Sequence, residues 1–419
     1  MATIVLIGTL DTKGREYAFA RELLVQAGVD PLVVDVGVLG EPAFQPDVPA
    51  GEVARLGGQQ LEELRFEREG SDTRAHALAV MAAGAAELVR RLYEDGRCDA
   101  VLGFAGSGGS SVIAAAMRAL PVGVPKLLVS TMVGTAAADY VDTRDVALLH
   151  SVTDIAGLNR VSRTILANAV HAVIGMATAR PGASDGDAPL VALTMMGVTT
   201  PCVLQVQAGL ERRGFETIVF HAVGTGGRAL EEMAADGVID GVCDITTHEL
   251  TDHELGGIFD AGKDRMRGAA RKGLPLVAVP GAVEFVNFGP RETVPARYDT
   301  PERRIVVHNP SVCAVRIDRE EGKRVGRAFA ERVNAAKGPA IVLLPLGGCS
   351  AYEGAGGPFV DADADGALFA AVREALRPNL ELREIDANVN DLAFARAVLA
   401  AFDDVWAALP TPFPPIIDS

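Results

Sequence analysis

Six consecutive small residues are the part of the chain best suited to chemistry: Gly106, Ser107, Gly108, Gly109, Ser110 and Ser111. They separate a short apolar run from an alanine-rich one, as a loop between a strand and a helix would. Such a loop lets backbone N–H groups converge on one point, where the helix N-terminus adds partial positive charge. The run therefore predicts a cradle for a phosphate or another anion. The alternative is a tight turn in which a serine caps the helix.

A second candidate loop follows the first apolar run of the chain. Its glycine and polar residues include Gly8, Thr9, Asp11, Thr12 and Lys13. Thr9 and Thr12 could donate hydrogen bonds to phosphate oxygens. A lysine at a helix N-terminus opposes the helix dipole unless an anion is bound there, so Lys13 also points to a phosphate. Asp11 could hold Mg²⁺ through a water molecule, or it could simply cap the helix.

Four further candidates lie at the ends of predicted elements in the same half of the chain. Asp35 ends the second strand, where nucleotide-binding domains often place an acidic group on a ribose hydroxyl. It is equally consistent with an ordinary aspartate at a strand end. Thr131 and Gly134 follow a later strand, and Asn159 precedes a helix. We expect these positions to surround the same point as the two glycine-containing loops.

The second half of the chain carries the titratable candidates. His221 follows a predicted strand, and residues 224–228 form a glycine-rich loop that ends in Arg228. Glu284 and His308 end two later strands. Arg228 would hold the anion of a small acidic substrate, and His221 or Glu284 would act as the general base. The alternative is a metal ion held by His221, His248, His308 or Glu284.

Two familiar metal motifs are incomplete. His248 and His253 are five positions apart, so on a helix they point in different directions and cannot form a zincin site. The acidic run that begins at Asp361 looks like the start of a calcium loop, but its twelfth position is Val372, where a glutamate is needed. We interpret the acidic run as a helix cap.

Short apolar runs alternate with helical patterns along the whole chain, which predicts parallel sheets with right-handed crossovers. Residues 180–189 have no apolar period and are rich in turn residues, so they are the best linker. The fold class is therefore α/β, with two Rossmann-like doubly wound domains at residues 1–180 and 189–419 and a cleft between them. In such sheets, ligands bind at the carboxyl ends of the strands.

Composition excludes several classes of protein. The chain has 419 residues, of which 49% are hydrophobic and 22% charged, the mix of a globular protein. Its net charge of −16 disfavours a nucleic-acid partner. No apolar window is long enough to suggest a membrane span, and no secretory signal is evident. Five scattered cysteines without a CxxC pair favour the reducing cytoplasm over a disulfide framework.

Five stretches carry a resemblance to a known family: GTLDTK (8–13), GSGGS (106–110), DIAGLNR (154–160), PGAVE (280–284) and PLGGCS (345–350). In this order, and over nearly the whole chain, the sequence resembles the ATP-binding domain of the tomato mosaic virus resistance protein and its bacterial and fungal relatives. The resemblance implies two Rossmann-like subdomains, ATP bound by the N-terminal one, and a homodimer. It supports the phosphate interpretation of the loops at Gly8 and Gly106 and names no reaction.

Three functions are consistent with these patterns. The first is an ATP-binding protein, with Mg²⁺ as a possible companion ion, that transfers a phosphoryl or acyl-phosphate group to a small anionic metabolite in the cleft. The second is a metal-dependent hydrolase or lyase that acts on a sugar acid or lactone. The third is a binding module without catalytic activity.

Overall fold

A computed structural model describes residues 2–66, 71–179 and 188–410 of the chain. The chain divides into two compact units, Met1–Ser184 and Asp185–Ser419. Most of the predicted linker at residues 180–189 lies outside the described residues. None of the helices in the described ranges is long and apolar enough to cross a membrane.

The N-terminal unit alternates strands and helices. Its elements are β1 (Thr3–Gly8), α1 (Leu10–Gln26), β2 (Asp30–Asp35), α2 (Ala50–Leu56), α3 (Leu61–Phe66), α4 (Ser71–Glu94), β3 (Ala100–Ala105), α5 (Ser107–Arg118), β4 (Lys126–Ser130), α6 (Val133–Val141), β5 (Ala147–His150) and α7 (Arg160–Thr178). The strands form one sheet in the order β2-β1-β3-β4-β5, and all neighbours are parallel. The predicted doubly wound sheet is confirmed.

Helices cover both faces of this sheet, because its central strands are apolar on both sides. Side chains of α1 and α7 pack on one face, and those of α2, α4 and α5 pack on the other. The helices that follow β1 and β3 therefore leave the sheet on opposite faces, although the two strands are neighbours. This is the topological switch point, where ligands of doubly wound sheets usually bind.

Tyr17 holds the two strands together where they diverge. Pairing between β1 and β3 extends to Ile7 and Gly103. Just beyond, the buried Tyr17 hydroxyl accepts from the Phe104 N–H (2.7 Å) and lies 2.6 Å from the Ile7 carbonyl oxygen. A Cβ at Gly8 would lie 1.9 Å from the tyrosine ring. Gly8, predicted as a phosphate contact, is thus a glycine because the ring needs the space.

The C-terminal unit repeats the α/β alternation with an insertion. Its elements are β6 (Leu190–Met195), α8 (Thr200–Arg212), β7 (Glu216–His221), α9 (Thr225–Asp236), β8 (Gly241–Thr246), α10 (His248–Leu255), α11 (Gly268–Lys272), β9 (Leu276–Gly281), β10 (Phe285–Phe288), β11 (Ile305–Asn309), β12 (Val312–Arg316), α12 (Arg319–Val333), β13 (Ala340–Pro345), α13 (Ala362–Ala375), β14 (Glu381–Ile385) and α14 (Leu392–Ala407).

Two sheets form this unit. Six parallel strands lie in the order β14-β13-β9-β8-β6-β7, which confirms the second doubly wound sheet. Strands β10, β12 and β11 form a separate antiparallel sheet. The sequence prediction placed His308 at the end of a parallel strand, and this is wrong. His308 lies in β11, which pairs with β12 antiparallel.

Candidate functional site

A cavity of about 940 Å³ lies in the N-terminal unit at the carboxyl ends of its strands. Its polar and glycine lining includes Thr9, Asp11, Thr12, Lys13, Thr73, Arg74, Gly106, Ser107, Gly108, Gly109, Thr131, His150, Ser151, Thr153 and Asp154. Its apolar lining includes Val36, Val38, Leu39, Leu64, Leu78, Met81 and Val112. The volume suits a cofactor-sized ligand, and the loops after β1 and β3 place the cavity at the switch point.

The N-terminus of α5 opens into this cavity. The helix begins at Ser107, so the glycine run is its first turn rather than a loop. The first backbone bond of the helix runs from the Ser110 N–H to the Gly106 oxygen (2.9 Å). The three earlier N–H groups, of residues 107–109, donate to no acceptor within the described parts of the chain. Gly106 at the cap position offers no side-chain oxygen to cover them, which leaves them suited to an anion.

Three predicted side chains at the N-terminus of α1, those of the cap residue Thr9 and of Thr12 and Lys13, line the same cavity. The helix begins at Leu10, so Thr12 and Lys13 lie in its first turn rather than in a loop. The hydroxyl oxygens of Thr9 and Thr12 are 2.8 Å apart. Lys13 Nζ donates to the Ile155 carbonyl (2.5 Å), and an ammonium group has two further hydrogens to donate.

Asp11 shapes the wall that follows β2. Its Oδ2 accepts from the N–H groups of Leu39 (2.8 Å) and Gly40 (3.2 Å). Its Oδ1 is buried and has no hydrogen-bond partner within the described residues. A Cβ at Gly37 would lie 2.6 Å from the Asp11 carboxyl carbon, so the glycine lets the loop lie against this side chain. Asp11 therefore holds the loop after β2 in place instead of capping α1. Its Oδ1 has no hydrogen-bond donor among the described residues.

Sequence reasoning missed two candidate residues of the cavity lining, Arg74 and His150. Arg74 comes from α4, and its Nη2 lies 3.3 Å from the position that a Cβ on Gly108 would take. This places the guanidinium beside the N-terminus of α5. His150 ends β5, with Nδ1 3.4 Å from the Ser130 carbonyl oxygen. The position of His150 at a strand end was a usable signal, whereas nothing in the sequence marks a residue inside a long helix as part of a site.

The segment after His150 is strained. Val152 has a φ of +64° and is 68% exposed. A β-branched residue rarely adopts this left-handed conformation, which costs about 1–3 kcal/mol. Strain of this kind is common in segments that hold ligands. Residues 150–154 line the cavity, so the strained residue belongs to its wall.

Two predicted contacts face away from the cavity. Asp35 is buried, and its Oδ1 accepts from the N–H groups of Leu10 (3.0 Å) and Gly37 (2.9 Å). It thus satisfies the first N–H group of α1. The Ser110 hydroxyl lies 2.7 Å from that of Ser130 and ties α5 to the end of β4. The ribose contact predicted for Asp35 and the phosphate contact predicted for Ser110 are not supported.

Two other predicted contacts belong to helix ends outside the cavity lining. Asn159 caps α7: its Oδ1 accepts from the N–H groups of Val161 (2.9 Å) and Ser162 (3.0 Å). Gly134 lies in the first turn of α6, with open space where a Cβ would be. The sequence correctly predicted a helix after Asn159, but it did not show that Asn159 and Gly134 lie outside the cavity lining.

The predicted second phosphate loop is filled by the protein itself. The Oε1 of Glu249 accepts from the N–H groups of Gly224 (2.6 Å) and Gly227 (3.0 Å). Its Oε2 accepts from Nε of the fully buried Arg265 (2.6 Å). The guanidinium of Arg228 lies 3.5 Å from the Asp260 carbonyl oxygen. The N-terminus of α9 therefore already holds a carboxylate and does not offer the predicted substrate anion site.

The histidines of the C-terminal unit do not form the metal site considered above. His221 is exposed at the end of β7. His308 Nδ1 lies 3.3 Å from the Tyr352 hydroxyl. His248 is fully buried, with Nδ1 2.7 Å from the Ala282 carbonyl oxygen. Within the described ranges, the one group of three side chains that could hold a metal ion contains none of these histidines.

Glu284 is fully buried and bonded to a neighbour. Its Oε1 accepts from the Ser350 hydroxyl. Burial raises the pKa of Glu284 above its ordinary value, although the Ser350 hydrogen bond and the charge of Arg316 act to lower it. A fully enclosed carboxyl is poorly placed to act as a general base for a substrate.

Fold and site together define a two-unit α/β protein with doubly wound sheets and a cavity at the switch point of the first sheet. Residues 2–182 match the N-terminal domain, and residues 188–406 the C-terminal domain, of the uncharacterised protein family UPF0261. The chain belongs to this family.

Relatives match over nearly the whole chain. A UPF0261 protein of Clostridium tetani is 39% identical, over 94% of this chain and 96% of that protein. The ToMV resistance protein Tm-1(GCR237) of Solanum lycopersicum is 36% identical over 96% of this chain, which spans 55% of the tomato protein. These matches confirm the resemblance seen in the sequence. The solved glycosyltransferase SsfS6 of Streptomyces aligns over 97% of this chain and 96% of its own at 15% identity, with a TM-score of only 0.21.

Proposed function

We propose that the N-terminal unit binds ATP, with the phosphates on the N-terminus of α5. The observation that carries the proposal is the set of three N–H groups at residues 107–109, which open into the cavity without an acceptor in the described chain. Oriented N–H groups and the helix dipole favour an anion there. Lys13 and Arg74 add two positive charges at the cavity. The family resemblance supplies the choice of ATP among anionic ligands.

The rest of the cavity supports a nucleotide over a small anion. Its volume of about 940 Å³ far exceeds what a free phosphate needs. Thr9 and Thr12 could donate to the outer phosphates. The apolar side chains of the loop after β2 and of α4, among them Val38, Leu39 and Leu78, could pack against the base. The ligand would thus lie across the switch point, as in other doubly wound sheets.

Mg²⁺ fits one feature of the cavity. ATP carries Mg²⁺ in solution, and the ion prefers oxygen ligands while keeping several of its waters. Asp11 lines the cavity and has one oxygen without a partner in the described chain. Of the predicted residues, Asp11 is therefore the one that would hold Mg²⁺ through water.

Group transfer is an extension of the same proposal. After ATP binds, a phosphoryl group would pass to the oxygen of a small anionic metabolite, and ADP would leave. His221 and His308 are exposed and are the remaining candidates for the base. Glu284 and Arg228 are engaged within the protein, which makes them weaker candidates than the sequence indicated. A binding module without turnover would use the same cavity and differ only in this step.

Two expectations about the protein in solution go with this proposal. The resemblance implies a homodimer, which sedimentation of the purified chain would test.

The five cysteines are all free and buried, which supports a reducing compartment such as the cytoplasm.

Calorimetric titration of ATP into the protein tests the proposal. Gly108→Val places a branched side chain beside Arg74 and Leu78 at the start of α5. We expect it to weaken ATP binding by at least about tenfold, the value of one hydrogen bond to a charged group. Gly134→Val is the matched control, because it makes the same change in the first turn of α6, away from the cavity lining.

The control should keep both ATP affinity and a similar melting temperature. Unchanged ATP binding in Gly108→Val would overturn the proposal. An equal loss of ATP affinity in both variants would also count against the proposal. Such a result would mean that the valine acts by destabilising the helix.

A further inference from the structure

Three buried side chains of the C-terminal unit meet beyond the carboxyl ends of β9 and β13. They are Glu284, Cys349 and Glu353, which are 0%, 0% and 6% exposed. One carboxylate oxygen from each glutamate and the sulfur of Cys349 all lie within 4.8 Å of one another. The two strands are parallel neighbours, so the segments that follow them emerge side by side. Residues that are 69 positions apart in sequence therefore share one enclosed point.

One oxygen of this group lacks a partner. Glu284 Oε1 accepts from the Ser350 hydroxyl, but Oε2 accepts no hydrogen bond within the described residues. A buried polar atom without a partner is costly, and a carboxylate oxygen more so than most. The neighbouring carboxylate oxygens of Glu353, by contrast, both accept hydrogen bonds. Glu353 Oε2 accepts from the Cys349 N–H (2.6 Å). The orphan oxygen is thus an independent sign that a ligand belongs here.

The local charge has the sign that a cation would balance. The carboxylates of Glu353 and Asp365 both accept from Arg316, and Glu284 lies close enough to be affected by the same guanidinium. Three carboxylates thus surround one positive charge in a buried place. Buried charges that are not paired are strongly unfavourable. A divalent ion would offset most of this surplus.

We propose that Glu284, Cys349 and Glu353 form a structural site for a divalent transition metal, with Zn²⁺ as the leading candidate. A thiolate with two carboxylates selects such a metal over Mg²⁺ or Ca²⁺, which take oxygen ligands. The Cys349 thiol would release its proton as its sulfur binds the ion. Structural zinc takes four ligands, and the Ser350 hydroxyl, which donates to Glu284, is a candidate for the fourth.

Such an ion would fasten one segment of the unit. Cys349, Ser350 and Glu353 all belong to the turn that follows β13, whereas Glu284 belongs to the segment between β9 and β10. Above the cluster, Tyr352 packs edge-on against Phe285 with ring centres 5.4 Å apart. The enclosed position fits a structural ion and not a catalytic one, since a catalytic ion needs an open coordination position.

Metal analysis of the purified full chain is the first test. We expect about one equivalent of zinc per chain, retained through gel filtration, and a lower melting temperature after chelation. Cys349→Ala and Glu284→Gln should each lose the ion. Cys313→Ala is the matched control, because this cysteine is also free and buried in the same unit but lies outside the cluster.

A second measurement needs no variant. Cobalt added to chelated wild-type protein should give the near-ultraviolet absorption of a cobalt–thiolate bond. If the wild-type protein binds neither zinc nor cobalt, the proposal is wrong. The buried carboxyl groups would then be neutralised by protons instead of by a metal ion. If both Cys349→Ala and Glu284→Gln retain the metal, the ion is bound elsewhere. That result would also overturn the proposal.

Discussion

Lys13 and Arg74 both line the cavity and would contribute most directly to the proposed phosphate site. Lys13 retains donors beyond its bond to the Ile155 carbonyl, and Arg74 presents a planar guanidinium beside Gly108. The two are not equivalent. An arginine can bond two phosphate oxygens at once, whereas a lysine acts as a point charge. Arg74 should therefore matter more for the orientation of the phosphates, and Lys13 more for their total charge.

Substitution of these two cations should lower ATP affinity. We expect Lys13→Met and Arg74→Met each to weaken binding by roughly 10- to 100-fold, since a hydrogen bond to a charged group contributes about 1.5–3 kcal/mol. The loss should be larger for ATP than for AMP, because the phosphates are what these side chains would contact. Titration calorimetry with both nucleotides measures this. Arg160→Met, an exposed arginine outside the cavity lining, is the control. Equal losses for ATP and AMP would contradict the phosphate assignment.

At the scale of elements, two helix N-termini show what separates an open anion site from a closed one. Both α5 and α9 begin with glycine-rich turns. At α9 the carboxylate of Glu249 already accepts from two backbone N–H groups, and Gly227 leaves room for it. At α5 no described carboxylate occupies the equivalent position. The same local sequence pattern therefore surrounds a carboxylate of the protein at α9, whereas at α5 it leaves backbone donors without an acceptor in the described chain.

The loops that follow β1 and β3 line the cavity beside the fork between these strands. The Tyr17 hydroxyl bridges the two strands where their own pairing ends. Tyr17→Phe should lower the free energy of unfolding by about 1–3 kcal/mol, because buried backbone groups lose their partner. Chemical denaturation measures this. Tyr93→Phe removes a hydroxyl from a partly exposed ring and should change stability by less than about 0.5 kcal/mol. Equal stability of Tyr17→Phe and wild type would contradict the role given to the hydroxyl.

Sequence patterns were sufficient for the overall alternation of strands and helices and for part of the cavity. Alternating apolar runs and helices identified both parallel sheets, and polar residues at strand ends identified Thr9, Thr12 and Lys13. The same rule nominated Asp35 and Ser110, which bond to neighbouring groups of the protein. Sequence spacing predicts which residues lie at a strand end, but not the direction in which each side chain points. Only the structure separates the residues that line the cavity from those that bond to neighbouring groups.

Three further features were beyond the reach of the sequence. Arg74 reaches the cavity from the side of a long helix, so its role depends on how α4 packs. Glu249 fills the α9 terminus from another element, and the antiparallel insertion around His308 interrupts an otherwise regular pattern. Asp361, interpreted as a helix cap, does accept from the Ala364 N–H (3.2 Å). Local interactions were thus predictable, whereas contacts between distant segments were not.

At the scale of the whole molecule, a net charge of −16 acts against any anionic ligand. An ATP site must therefore rest on local donors, and every described residue that lines the cavity belongs to the N-terminal unit. The C-terminal unit repeats the fold but fills its glycine-rich loop internally. The two units share an architecture, and among the described residues they differ in whether the glycine-rich helix N-terminus, α5 or α9, already has a carboxylate on its N–H groups.

This division predicts which substitutions leave ATP binding intact. His308→Ala, at an exposed position of the C-terminal unit, should change ATP affinity by less than about twofold, because substitutions at sites without shared partners act independently. Calorimetry on the full chain measures it, and Arg74→Met provides the contrast. A tenfold loss would show that the C-terminal unit contributes directly to the nucleotide site.

The most direct measurement is the electron density of crystals of the full chain grown with ATP. We predict a phosphate group within hydrogen-bond distance of the N–H groups of Ser107, Gly108 and Gly109, with Arg74 and Lys13 on either side. A nucleotide bound elsewhere, or a cavity that contains none at a saturating ATP concentration, would contradict the assignment.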